Sequence, residues 1–138
     1  MLKLTLSFIA FIFLMQSHGF AGQTVTETNY FASLRSSESN VRSGPGQNYP
    51  VKFTYKIKSI PVRVINEYDN WSEIEDYENQ TGWINQSLLT KRRTVIVRIS
   101  KDFTNMHKKS DEASRVLYHL ENNVIGEYLG CKEMWCAI

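Results

Sequence analysis

Residues 61–84 read PVRVINEYDNWSEIEDYENQTGWI, and the punctuation of this stretch decides the fold. After Pro61, which suits a strand start and would break a helix interior, β-branched side chains fill three of four positions at Val62, Val64 and Ile65. Tyr68-Asp69-Asn70-Trp71 sets two turn-forming residues between aromatics, so the chain is expected to reverse there and re-enter a strand over Trp71 to Tyr77. Glu78-Asn79-Gln80 is a second polar turn, and Thr81-Gly82-Trp83-Ile84 a third short strand.

Upstream, Ser43-Gly44-Pro45-Gly46-Gln47-Asn48 is the strongest loop signal in the chain, because two glycines around a proline fit neither a helix nor a central strand. Gly44 and Gly46 are expected to permit positive φ, with Pro45 limiting the loop's freedom. The loop separates Leu34 to Arg42 from Val51 to Tyr55, both rich in β-formers, whereas Gly22 to Asn29 is polar, lacks a hydrophobic period and reads as a loose lead-in. Five short strands within about 60 residues predict an all-β fold, a small closed barrel rather than an open sheet.

Further out, Met1-Leu2-Lys3 carries one positive charge and Leu4 to Met15 is apolar apart from Thr5 and Ser7. This is the profile of a signal peptide over residues 1–21, too short for a membrane span of about 20 residues, with Ser17/Gly19 or Gly19/Ala21 framing the cleavage site. An uncleaved anchor or a buried helix are the alternatives. No Cys follows the apolar run, so lipid attachment has no acceptor. An exported chain is expected, periplasmic or secreted, without a stable membrane span once cleaved. Lys3 is the only charge lost on cleavage, leaving 15 basic residues against 14 acidic ones. That balance is too near neutral for a nucleic-acid partner.

Asn40-Val41-Arg42-Ser43-Gly44-Pro45-Gly46, then Tyr49-Pro50-Val51, then Trp71 to Ile74, then Gly82-Trp83-Ile84 together resemble the bacterial SH3 family. That family's pattern runs N-x-R-x-G-P-x, W-x-x-[VI] and G-W-[IV] in this order. The resemblance covers residues 34–90, with domain bounds expected at 30–93, and the continuation to Arg92-Arg93 is similar to an exported subgroup. It implies an SH3-like barrel and a module that recognises cell-wall peptides. Tyr49, Asn70, Trp71 and Tyr77 are the expected ligand-binding residues, in a groove between the glycine loop and the turn before Trp71. Asn40 and Arg42 stand at its edge or brace the loop. Trp83, inside an apolar strand, is expected in the core, and Trp71 is open between core and surface. Of Tyr49, Tyr55, Tyr68 and Tyr77, at least one is expected to be core.

The pattern recurs. Asn105-Met106-His107 aligns with Asn40-Val41-Arg42, Val116 with Val51 and, after a short gap, Trp135 with Trp71. Residues 94–138 are therefore expected to form a second SH3-like unit with Lys108-Lys109-Ser110-Asp111 in place of the glycine loop. A helix over Glu112 to Leu120 is the competing expectation, from the spacing of Ala113, Val116, Leu117 and Leu120. Only Cys136-Ala137-Ile138 follow Trp135, so the second barrel is expected to lack its closing strand and to leave an edge open for self-association.

Cys131 and Cys136 bracket Lys132-Glu133-Met134-Trp135 and are expected to pair as a disulfide across a hairpin. Free thiols are the alternative, and metal binding is short of ligands, with His119 the only nearby imidazole. A Cys–His nucleophile built from Cys131 or Cys136 with His107 or His119 is met only in inventory. Glu73 and Glu75 lie two apart on one strand, as on a solvated face, and the Ser43 to Gly46 loop lacks the lysine and helix of a phosphate loop. No catalytic residue, cofactor or metal is expected. The sequence points to a non-catalytic exported module for a cell-wall (peptidoglycan) peptide or another extended peptide. An envelope protein–protein scaffold is the second reading, a cell-wall cysteine amidase or peptidase the third.

Overall fold

A computed structural model describes residues 24–138 of the protein; the signal peptide expected over residues 1–21 lies outside the described residues. The chain is all-β, with one turn of 3-10 helix at Gln86–Leu88 and no α-helix among the described residues. Strands β1 (Thr26–Leu34), β2 (Ser39–Arg42), β3 (Val51–Tyr55), β4 (Pro61–Tyr68), β5 (Trp71–Asp76), β6 (Thr81–Asn85) and β7 (Leu89–Thr90) form one antiparallel sheet in the order β3-β2-β6-β5-β4-β1-β7.

Alternation decides which face packs. β5 buries Ser72, Ile74 and Asp76 and turns Trp71, Glu73 and Glu75 the other way, and β4 buries Val62 and Val64. The buried faces supply one core of Ala32, Leu34, Val41, Ile60, Val62, Val64, Ile74, Ile84 and Leu89. Val41 on β2 and Leu34 on β1 stand four places apart in the sheet order yet share this core, so the sheet is rolled into an SH3-like barrel. Each fully buried Val, Leu or Ile contributes about 1.5–3 kcal/mol of transfer free energy.

The expected strands differ from the observed ones at the N-terminal side. The polar stretch read as a loose lead-in is already strand from Thr26, pairing Thr26 with Glu67 and Glu27 with Asn66. Leu34 to Arg42 is two strands, because Leu34 closes β1 against Ile60 (Leu34 N–H to Ile60 O, 3.0 Å) and β2 begins only at Ser39.

Residues 94–138 form three two-stranded ribbons: β8 (Thr94–Ile96) with β11 (Ile125–Glu127), β9 (Thr104–His107) with β10 (Val116–Leu120), and β12 (Gly130–Lys132) with β13 (Trp135–Ala137). β10 occupies the stretch for which a helix was the alternative. The hydrogen bonds repeat those of the barrel. Ser43 N–H donates to Pro50 O (3.0 Å), and 65 residues on Lys108 N–H donates to Arg115 O (2.9 Å). Gly46 N–H to Gly44 O and Tyr49 N–H to Gly46 O are matched by Asp111 N–H to Lys109 O and Ser114 N–H to Asp111 O. Ser59, Asp69, Asn123 and Glu133 all take positive φ, and the second pair follows the first by 64 residues. Beyond Leu89, however, no residue is fully buried; Ile125 rests against the barrel core from outside.

Candidate functional site

The face of the sheet turned away from the core carries the aromatic side chains that the sequence singles out. Strands β2, β6 and β5 lie side by side, and Arg42, Trp83 and Glu73 are direct partners across them, so all three project to the same side. Ile84 and Gly82, on either side of Trp83, face inward: Ile84 is fully buried in the core, and a Cβ on Gly82 would stand 2.5 Å from Val41 Cγ1. Trp83 is therefore buried, at 9 % exposure, as the sequence predicts, but stands outside the central cluster of the barrel. It belongs to the outer face. One row along, Trp71 pairs with Asn85 on one side and Tyr68 on the other. Trp71 and Trp83 are thus diagonal neighbours, roughly 7–8 Å apart in the backbone and within reach of each other's rings.

The loop of Ser43 to Asn48 is ordered by a different device from the one expected. Neither Gly44 nor Gly46 has positive φ. Gly44 lies under the Tyr49 ring: a Cβ there would be 2.4 Å from Tyr49 Cδ1 as the ring now stands. Arg42 Nη1 donates to the Tyr49 carbonyl at 2.8 Å, which ties the loop to the end of β2 and leaves the Tyr49 ring exposed. Asn40 is also engaged, its Oδ1 accepting from Thr54 Oγ1 at 2.7 Å across β2 and β3. Asn70 sits in the β4–β5 turn, where its carbonyl accepts from Gln86 N–H at 2.9 Å.

Tyr77 does not join this group. It follows the far end of β5, about 20 Å from Trp71 at the rise of an extended strand. Its ring is stacked by Arg98, 5.0 Å from the ring centre. Nearby, Arg93 stands 4.3 Å from the Tyr128 ring centre and 5.9 Å from that of Phe31. Phe31, Tyr77, Arg93 and Tyr128 line a cleft of about 490 Å³ where the barrel meets the ribbons. The basic run is part of this junction: Ser33 Oγ donates to Arg92 O at 2.7 Å, and Arg92 Nε lies 3.7 Å from Glu127 Oε1. Sequence reasoning did not find this junction. Its parts are single residues spread over a hundred positions, with no local signal.

Among the tyrosines, Tyr55 is the inward one, donating to Asp76 Oδ2 at 2.7 Å. Burial and then the Asp76 carboxylate push its hydroxyl pKa up. Tyr30, donating to Glu67 Oε1 at 2.8 Å, is pushed up to about 12, first by burial and then by Glu67. Cys131 and Cys136 are direct partners across β12 and β13 and are joined as a disulfide, with 4.0 Å between their Cα atoms. Neither offers a thiolate. His107 Nδ1 lies 3.0 Å from Ser114 O, and His119 Nδ1 2.8 Å from Asn105 Oδ1, so both imidazoles serve hairpin β9–β10. No group of His, Cys, Asp and Glu suited to a metal occurs among the described residues.

A rolled antiparallel sheet with an aromatic outer face and a braced loop is the architecture of a small binding module. Residues 35–91 match the family model of the bacterial SH3 domain, and this part of the chain is a bacterial SH3-like domain, a class of module often associated with the cell wall. No curated protein matches the chain. The disulfide suits an oxidising compartment, as outside the cytoplasm. No helix among the described residues is long and apolar enough to cross a membrane.

Proposed function

We propose that the protein is a non-catalytic exported binding module whose SH3-like barrel takes an extended cell-wall peptide over its outer face. The observation that supports this reading best is the diagonal pair Trp71 and Trp83, with Arg42 beside Trp83 and Asn85 and Tyr68 flanking Trp71. Trp71 is only half-buried and so keeps ring surface for a ligand, beside the covered Trp83. An extended chain suits such a face because apolar rings stack on its side chains while Asn85 and the exposed Tyr49 supply polar contacts. Of the predicted set, Arg42 braces the loop through the Tyr49 carbonyl, one of the two roles expected for it, and Tyr77 lies outside the face. That both thiols are tied up supports a role without nucleophilic chemistry.

Sedimentation with purified peptidoglycan tests the reading. The intact chain is expected to co-sediment and Trp71→Ala to bind about tenfold more weakly or worse, as for a central aromatic anchor, with its circular dichroism unchanged. Tyr77→Ala is expected to bind like the parent. Peptidoglycan that retains neither protein, or both equally, would refute the assignment.

We also infer that residues 94–138 repeat the barrel unit from β1 through β5, on the strength of the hydrogen bonds recurring 65 residues on.

A further inference from the structure

β5 carries three carboxylates, Glu73, Glu75 and Asp76, and two of them are compensated within the barrel. Asp76 turns inward and accepts from Tyr55 Oη and from the Glu78 and Gln80 N–H groups. Glu75 faces outward and is met by Arg63, its direct partner on β4, with Nε 3.0 Å from Oε2. Glu73 faces outward too, but among the described residues it forms no ion pair with a Lys or Arg. Its one side-chain hydrogen bond there is neutral: Asn66 Nδ2 donates to Oε2 at 2.7 Å. That bond orients the carboxylate and leaves Oε1 without a partner.

The uncompensated charge lies among the aromatic rings of the outer face. Across the strands Glu73 is the direct partner of Trp83, and along β5 it stands two residues from Trp71, about 7 Å at the rise of an extended strand. Among the described residues, cations stack on Phe31, Tyr77 and Tyr128, and none stacks on Trp71 or Trp83. Arg42 is on the far side of Trp83, two strand spacings or about 10 Å from Glu73, with its Nη1 on the Tyr49 carbonyl. Glu73 and Trp71 are both half-buried, so the charge is partly shielded from salt yet can be reached.

An indole face attracts cations through its quadrupole, and a carboxylate beside it attracts them through its charge. Here both act on one spot. On the basis of the assignment of this face to an extended peptide, on which the inference rests, we propose that Trp71 and Glu73 form a subsite for a primary ammonium group on one of that peptide's side chains. The ammonium lies over the Trp71 ring and donates to Glu73 Oε1. A guanidinium suits the subsite less well. It pairs best as a fork on both oxygens of a carboxylate, and Asn66 already holds Oε2, whereas one oxygen satisfies the compact charge of an ammonium. Arg42 sets the direction, because its like charge keeps a cation away from the β2 side of Trp83.

The test sediments the full chain with purified peptidoglycan in two forms, native and with the free amines of its peptides acetylated. Acetylation removes the positive charge and leaves the peptide backbone intact. The parent chain is expected to bind the acetylated wall about tenfold more weakly than the native one, the combined effect of an ion pair and a cation–π contact. Glu73→Gln, which keeps an acceptor for Asn66, is expected to lose about tenfold on the native wall and nothing further on the acetylated one, as a double-mutant cycle requires of two groups that meet. Its residual binding to both walls separates it from a chain that has failed to fold. Glu75→Gln is expected to bind the native wall like the parent, since Arg63 already holds that carboxylate. Equal binding of both walls by the parent, with Trp71→Ala weaker on each, would overturn the ammonium subsite and leave the peptide face standing. Losses from acetylation and from Glu73→Gln that simply add would also overturn it. Failure of the parent to bind either wall would refute the peptide face itself, and the subsite with it.

Discussion

Asp76 is the only buried carboxylate among the described residues, and its surroundings show how a barrel this small tolerates one. It accepts from Tyr55 Oη (2.7 Å), Glu78 N–H (2.8 Å) and Gln80 N–H (2.9 Å), so one side chain both shapes the β5–β6 turn and holds β3 across the interior. Removing the phenol hydroxyl leaves the charge with a donor fewer. Tyr55→Phe is therefore expected to cost about 1.5–3 kcal/mol in denaturant unfolding, the range for hydrogen bonds to charged groups; a midpoint unchanged in urea would refute it. Tyr55 and Tyr30 also set a pH limit. Their folded pKa values are raised, so the native state keeps protons that the unfolded chain releases near pH 10. Stability is then unaffected below about pH 9 and falls as pH climbs from about 10 towards 12. Melting curves over that interval should show the decline, and a melting temperature flat to pH 11 would contradict it.

At the scale of the strand, β6 is where sequence and structure part most instructively. Its glycine is explained by approach: a Cβ on Gly82 would lie 2.5 Å from Val41 Cγ1 and 2.9 Å from the Arg42 carbonyl, so β6 lies against β2 only because that atom is missing. Gly82→Ala is expected to destabilise the barrel by about 1–3 kcal/mol through overpacking, measured as a lowered urea midpoint. Gly44→Ala meets only the exposed Tyr49 ring, which swings away, and is expected to cost much less. Equal losses for the two would refute this account. The Gly-Trp-Ile run announces a strand through its β-forming residues and neighbouring turns, but three buried positions in succession contain no alternation. The side on which Trp83 stands was thus illegible until its partners on β2 and β5 were known. β1 was hidden for the opposite reason. Its first residues, Thr26 and Glu27, are exposed and held by backbone pairing to β4, so no hydrophobic period marks them. The β2 and β3 hairpin, by contrast, was legible from Ser43-Gly44-Pro45-Gly46 and Val51 alone, and its copy at β9 and β10 from the register of Asn105 and Val116.

Across the whole molecule, the two halves share a hydrogen-bond plan and differ in what that plan encloses. The barrel buries nine apolar side chains in one cluster, whereas residues 94–138 bury none completely and lean on the barrel at Ile125, at Thr94 Oγ1 to Ser59 O (2.7 Å) and at Tyr128 N–H to Arg93 O (2.9 Å). Backbone hydrogen bonds in exposed two-stranded ribbons open without disturbing a core, so exchange protection should divide along this line. Amides of β4, β5 and β6 are expected to exchange only through global unfolding. Those of β9 and β10 are expected to exchange at least a hundredfold faster, equivalent to about 2.7 kcal/mol of local opening. β12 and β13 should lie between, because the Cys131–Cys136 bond restricts their unpaired state by about 2 kcal/mol for so short a loop. Reduction is therefore expected to raise exchange over residues 130–137 to the level of β9 while the barrel's melting temperature stays where it was. Equal protection of the two halves in a monomer would mean that the ribbons draw stability from the barrel across the junction of Arg93, Phe31 and Tyr128. In that case substituting Arg93, rather than reducing the disulfide, would be the change that separates them.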